Sequence, residues 1–166
     1  VEPQMLSTLA TVAHREGDPR EALDLARRSV AAAAAASFRL WELWQLETQL
    51  ELELELEHVD DAEATGRRAL VLNRRIHDRR ITLFVLTSLA RLALLRERFE
   101  RAGELWGAVA EDEQADPLAY AEEFAAFSAP LGECSDPTFL AALETGRTLS
   151  LAQAAAIALG EDQTLP

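Results

Sequence analysis

Residues 46–57 read Leu-Glu-Thr-Gln-Leu-Glu-Leu-Glu-Leu-Glu-Leu-Glu, and the apolar–charged alternation of the last eight positions is, in isolation, the pattern of a half-buried strand. Composition points the other way. Leu and Glu both favour helix, residues 50–57 contain no β-branched side chain, and the run continues an apolar pattern that begins at Trp41. Wound as a helix, the stretch places Leu46, Leu50 and Leu54 on one face and Leu52 and Leu56 on another. A helix with two apolar faces is one packed between neighbours. The stretch therefore predicts an unbroken helix over 38–57 in an all-α fold. Both leucine sets should be buried, with Glu47, Glu51, Glu53, Glu55 and Glu57 on a solvated or groove-lining side.

The neighbours come from repeats of the same design. Charged turns are followed by a helix-opening alanine at Ala22, Ala62 and Ala102, 40 residues apart. The same shift aligns Leu6, Leu46 and Leu86; Ala10, Leu50 and Ala90; Val12, Leu52 and Leu92; Ala26, Gly66 and Trp106; and Ser29, Ala69 and Val109. Arg27-Arg28 recurs as Arg67-Arg68. A period of this length with two helical stretches per unit is the mark of an α-solenoid, in which each helix pair buries its apolar face against the next. Local signals place the boundaries. Gly17 suits a left-handed helix end, Asp18-Pro19 a capped helix start, and Asp60 with Glu63 a capping box. Helices are expected at about 3–16, 19–36, 38–57, 61–76, 80–96 and 99–113.

Past residue 113 the period stops. Asp116-Pro117, Asp136-Pro137 and the Ser150/Gln153 pair each signal a new helix, and Gly132 and Gly160 stand where chains leave helices. Three shorter helices near 117–129, 137–147 and 150–159 would close the array. The domain expectation is three TPR-like helix pairs over 1–113 (about 1–36, 37–76 and 77–113) and a C-terminal helical cap over 114–166.

Two segments carry a family resemblance: AGELWGAVAEDE at 102–113 and DPTFLAALETGRTLSLAQAAAIALG at 136–160. Together they resemble the end of actinobacterial LuxR-type regulators, which join an NTPase domain to a TPR-like array and a final helical cap. Gly107, Ala108, Gly146, Arg147, Leu149, Ser150, Leu151, Ala154 and Ala158 stand at matching places, whereas Phe139-Leu140 departs from the usual Phe and Trp. The helix pairs also look like the TPR of maltose-regulator type. The resemblance implies a regulatory part that receives a signal or partner and biases NTPase and DNA-binding domains lying elsewhere. The chain itself has no GxxxxGK[ST] sequence. A generic TPR scaffold outside transcription is the alternative. An upstream nucleotide-binding motif with a helix-turn-helix would separate the two.

Composition narrows the partners. All 16 Lys/Arg positions are Arg. Residues 1–102 hold 15 Arg against 17 acids, whereas 103–166 hold Arg147 alone against 12. So acidic a C-terminal part argues against general affinity for nucleic acid or anionic membrane. No apolar run reaches the roughly 18 residues of a spanning helix. Cys134 is the one cysteine, so no internal disulfide is expected. The opening Val-Glu-Pro-Gln shows no signal pattern, and the expectation is a piece of a longer cytoplasmic protein.

No catalytic, cofactor or metal set is expected. His14, His58 and His77 lack metal-ligand spacing, flanking acids disfavour a Cys134 thiolate, and the glutamates of 47–57 share one helix, not two sides of a cleft. The densest basic cluster, Arg67, Arg68, Arg74, Arg75, Arg79 and Arg80, is a weak anion or nucleic-acid candidate. TPR-like arrays bind along the concave face made by the first helix of each pair, and the register transfers that face to Gln4, Ser7, Thr11 and His14, to Trp44, Glu47 and Glu51, and to Phe84, Thr87 and Arg91. Aromatic anchors among polar groups suit a protein or peptide segment, including another domain of the same full-length chain. An exposed apolar first repeat would leave homodimerisation open. Calorimetry with ATP and with zinc should show no stoichiometric, tight binding; either would overturn the non-enzyme reading.

Overall fold

The computed structural model describes residues 2–161, and among these it contains nine helices and no strand. They are α1 (Pro3–Arg15), α2 (Pro19–Ala35), α3 (Arg39–Glu55), α4 (Val59–Ile76), α5 (Arg79–Leu95), α6 (Phe99–Ala115), α7 (Ala121–Gly132), α8 (Pro137–Gly146) and α9 (Leu151–Leu159). The 46–57 stretch is helical to Glu55.

The helices keep time. From α2 to α6, each opens 20 residues after the one before, at Pro19, Arg39, Val59, Arg79 and Phe99. Residues of positive φ fall at the same interval: Gly17, Ser37, Glu57, His77 and Glu97. Four of these turns share one hydrogen-bond pattern. The N–H groups of Asp18, Phe38, His58 and Arg98 donate to the carbonyls of Ala13, Ala33, Glu53 and Ala93 at 2.8–2.9 Å. Those of Gly17, Ser37, Glu57 and Glu97 donate to His14, Ala34, Leu54 and Leu94 at 3.0–3.1 Å. This paired closure satisfies carbonyls that a helix end leaves orphaned, and it requires a left-handed residue. The fifth turn is closed by a side chain instead: Asn73 Nδ2 donates to the Asp78 carbonyl at 2.8 Å, and Asn73 Oδ1 accepts from the Asp78 N–H at 2.9 Å.

Several boundaries differ from the sequence expectation. α3 stops two residues early, because the left-handed Glu57 sets the turn; Leu56 becomes its C-cap, and Leu54 and Leu56 are half-buried, not enclosed. α4 opens at Val59 with His58 at the N-cap, so Asp60 lies in the first turn and not at the cap. α7 begins at Ala121, since α6 runs on to Ala115 and Asp116-Pro117 is spent leaving it. The other caps are as read: Asp18 accepts from Glu21 N–H at 3.0 Å, Asp136 from Thr138 and Phe139, and Ser150 and Gln153 form a reciprocal box.

The chain divides into two compact units, Val1–Ile81 and Thr82–Pro166. In the first unit, α1 packs on α2, α2 on α3 and α3 on α4. Leu6, Ala10 and Ala13 meet Ala22, Leu23, Leu25, Ala26 and Leu52 in one core cluster. The period-40 positions behave as a set: Ala22, Ala62 and Ala102 are each fully buried, as are Ser29, Ala69 and Val109. Small residues there let helices approach closely.

The largest correction concerns Glu53, which the alternation placed on a solvated or groove-lining side and which is fully enclosed. Arg27 of α2 reaches it with Nη2 at 2.9 Å and Nε at 3.3 Å, and Gln49 Nε2 adds a bond at 2.9 Å. Arg27 also holds Asp61 of α4 at 2.7 Å. Glu42, near the other end of α3, is likewise buried and takes Arg68 of α4 at 2.7 Å and Arg39 at 2.8 Å. Burial alone would raise the Glu42 pKa, but the bonds from Arg68 and Arg39 outweigh it and hold the carboxyl below its usual range.

In the second unit α6 and α8 touch backbone to backbone. A Cβ on Gly107 would lie 2.3 Å from the Leu143 carbonyl oxygen, one on Gly103 2.4 Å from that of Phe139, and one on Gly146 2.3 Å from that of Glu104. α9 and α7 also pack on α6, and Arg101 Nη2 donates to the Ala158 carbonyl at 2.8 Å. Two substitutions that exchange glycine with another residue should therefore act with opposite sign. Gly107→Ala, which in a free helix gains about 0.5–1 kcal/mol, should here cost about 1–3 kcal/mol through forced separation. Glu57→Gly, which relieves a left-handed non-glycine residue, should gain up to about 1 kcal/mol. Urea denaturation of both variants measures this.

Candidate functional site

The α1 residues expected to face a partner do share one side of their helix. Gln4 and Thr11 are exposed and Ser7 is half-buried; the Thr11 hydroxyl donates to the Ser7 carbonyl at 3.1 Å. His14 is exposed, and its Nε2 lies 2.7 Å from Glu55 Oε2, so the ends of α1 and α3 are tied on that side. Gln4 also borders an open hollow of about 500 Å³ with Glu2, Pro3, Ala32, Ala36 and Phe38.

On α3, Trp44, Glu47, Glu51 and Glu55 continue this surface at helical spacing. Trp44 is 38% exposed and meets Trp41 edge-on with ring centroids 5.8 Å apart. The Trp41 indole N–H is buried without a hydrogen-bond partner, so the pair is fixed by packing. Glu47 is half-buried and engaged by the Arg80 fork, with Nη1 bonded to Oε1 and Nη2 2.7 Å from Oε2. Glu51 keeps solvent access and has no ion-pair partner, yet its pKa is raised, first by the bulk of protein around it and then by Glu47 and Glu55, with His14 opposing. The result in this unit is an acidic row on α3, closed by His14 at one end and Arg80 at the other, with an aromatic edge beside it.

The α5 residues fare differently. Thr87 is fully buried and its hydroxyl donates to the Leu83 carbonyl at 2.7 Å, so it faces the core and is not presented to a partner. Phe84 and Arg91 are half-buried under a residue that the sequence reading did not single out, Phe127 of α7. The Phe127 ring stacks on Phe84 at 4.9 Å, and the Arg91 guanidinium carbon lies 4.5 Å over it. The cause is legible in α5 itself: residues 83, 85–90, 92 and 93 are all buried, and a helix apolar on most sides must be covered on most sides. Phe127, a large aromatic in the otherwise small-residue stretch 125–130, is the signal that could have identified this contact.

The arginine cluster is largely committed. Arg68 binds Glu42, Arg80 binds Glu47, and Arg67, Arg74 and Arg79 each have a partner; Arg75 is exposed. Among the described residues, no group of three or more His, Cys, Asp or Glu is placed to hold a metal ion, and no helix is long and apolar enough to cross a membrane. Cys134 is a half-buried free thiol. No protein-family model matches the chain, and no match was found among curated proteins or solved structures.

The raised Glu51 pKa has a defined consequence. A carboxyl whose folded pKa exceeds its unfolded value binds its proton more tightly in the folded chain, so ionising it costs stability. The deficit is absent below the ordinary glutamate range and complete above the raised value. Glu51→Gln should therefore raise the melting temperature at about pH 7 and leave it nearly unchanged at about pH 4, which paired thermal melts will show.

Proposed function

We propose that this chain is a non-catalytic interaction module, an α-solenoid of TPR-like helix pairs with a helical cap, that captures a protein or peptide segment along the first helices of its pairs. The observation that carries this reading is the open α1–α3 surface: Trp44, Glu47 and Glu51 beside Gln4, Ser7, Thr11 and His14, with an exposed indole and, two turns further along α3, a carboxylate that has no ion-pair partner among the described residues. Its chemistry favours a segment with a basic side chain for Glu51 and an apolar one for Trp44. The strict 20-residue helix register supports the repeat reading, because equal helices reversing at equal intervals present equivalent faces.

For setting, the resemblance of 102–113 and 136–160 to LuxR-type and maltose-regulator-like proteins favours the regulatory part of a larger cytoplasmic transcriptional regulator or signalling ATPase. The partner would then be another domain of that chain or a separate protein. A P-loop and helix-turn-helix encoded upstream in the same gene would support that setting; an unrelated gene context would leave the scaffold reading alone.

One feature favours a contact at the outer side of α1. Met5, Leu9 and Val12 are 59%, 46% and 44% exposed, whereas the residues 40 further on, Gln45 and Leu52, and 80 further on, Val85, Leu89 and Leu92, are buried. A homodimer or a further helix pair would cover such a stripe.

Selection of a displayed random peptide library on the wild-type chain, with binding then measured on variants, tests the capture surface. Trp44→Ala should weaken selected peptides by about thirtyfold, the loss of about 2 kcal/mol typical of an aromatic anchor, with little change in melting temperature. Peptides that bind both chains equally, or a melting temperature that collapses in the variant, would place the ring in the core and refute the surface.

A further inference from the structure

We propose that Arg91, laid over the Phe127 ring, is a carboxylate-reading position whose ligand is a peptide-like carboxylate with an aliphatic group beside it. The arginines of this acidic chain make Arg91 stand apart. Arg27, Arg28, Arg39, Arg68, Arg80 and Arg147 have carboxylate partners. Arg15, Arg20, Arg75 and Arg98, which have no such partner on record among the described residues, are exposed to water. Among the described residues Arg91 is half-buried and meets no carboxylate; its guanidinium carbon lies 4.5 Å from the centroid of the Phe127 ring.

A guanidinium lying on an aromatic face covers its plane and leaves its N–H edge free, and that edge is the fork that matches a carboxylate with two parallel bonds. No Arg91 nitrogen is among the atoms sealed from solvent without a partner, so the guanidinium is not closed off from water. The surroundings sharpen the fit. Phe127 is itself stacked on Phe84 at 4.9 Å with rings 21° apart, which holds the ring that supports the guanidinium. Leu95, four residues on and so on the same side of α5, is 65% exposed and offers an apolar rest one turn beyond the cation. A half-desolvated cation without an acid costs stability that pairing would restore, and burial already pushes the Arg91 pKa down.

The proposal rests on the interaction-module reading but uses residues other than Trp44 and Glu51, so either can fail alone. The test is an NMR titration of the full chain, following the Arg91 Nε–H resonance, which the Phe127 ring current displaces. Three probes are used: N-acetyl-leucine, whose main-chain carboxylate is free; N-acetyl-glutamate α-amide, whose side-chain carboxylate is free; and N-acetyl-leucinamide, which has none. A saturable shift with either acid and none with the amide is expected, and the acid that binds tighter identifies a chain terminus or an acidic side chain as the source. Arg91→Gln should weaken that acid by about tenfold, read from the remaining backbone shifts, and Arg91→Lys by less, since it keeps the charge and loses the fork. Phe127→Leu should weaken it severalfold. Equal shifts with acid and amide, no shift with any probe, or unchanged affinity in folded Arg91→Gln and Arg91→Lys would overturn the proposal.

Discussion

The structure depends on one constraint, a chain reversal forced at every twentieth residue. Each of the 17-residue helices α2, α3, α5 and α6 is about 25 Å long, and a turn of fixed hydrogen-bond pattern follows. Because these helices are equal in length and the turns recur, residues 40 apart take equivalent places in successive helix pairs along the chain. That is why Leu6, Leu46 and Leu86 are all buried and why Ala22, Ala62 and Ala102 all are. A one-residue change in any helix would rotate everything after it by about 100°, moving Trp44 and Glu51 off the side that His14 shares. The backbone turns therefore decide which side chains meet, and the left-handed residues at 37, 57, 77 and 97 are tolerated because the whole register requires them.

The second level of specification is electrostatic and sits on α3. Glu42 and Glu53 are both buried, but each is aimed at an arginine from an adjacent helix: Glu53 at Arg27 of α2, Glu42 at Arg68 of α4. Apolar contacts alone would allow α3 to slide along its neighbours at modest cost. A buried carboxylate cannot lose its arginine without leaving an uncompensated charge, a cost of about 3–5 kcal/mol, so these pairs fix the axial position of α2 and α4 on α3. The Glu42 pair absorbs Arg68, which sequence reading could describe only as part of a basic cluster. A chain with many acids turns basic clusters into internal clamps before it offers them to a polyanion.

How much of this was legible in the sequence depends on the distance over which each decision is made. The helices, the period of 40 and the Asp18, Asp136 and Ser150 caps are written in local composition, and all were readable. The left-handed turns were readable only at Gly17, because Ser37, Glu57, His77 and Glu97 carry no local preference for that conformation; they obey the register, which is a tertiary property. Glu53 was misread for the same reason. Its neighbours Glu51 and Glu55 are exposed, and nothing in the residues around it announces an arginine 26 positions earlier. Of the expected partner-facing residues, Gln4, Thr11, His14, Trp44 and Glu51 are exposed, and Ser7 and Glu47 are half-buried. Thr87, Phe84 and Arg91 differ because α5 is more apolar than α1 or α3: Thr87 is enclosed, and Phe127 of α7 packs on Phe84 and Arg91.

The residues that carry the family resemblance belong to this packing logic more than to ligand recognition. Gly107 and Gly146 meet across the α6–α8 crossing, where no Cβ fits, and Ala108, Ala154 and Ala158 are buried. Ser150 is spent capping α9. A segment constrained by backbone contact can match a family's architecture while leaving open what the chain binds, because the surfaces that would meet a partner lie elsewhere, on Trp44 and Glu51 in one unit and on Arg91 in the other. Those surfaces differ in sign. The α3 row is acidic with an aromatic edge, and the α5 position is cationic on an aromatic base. On the proposed reading each unit would set its own requirement on a bound segment, a base for the acidic row and an acid for the cation.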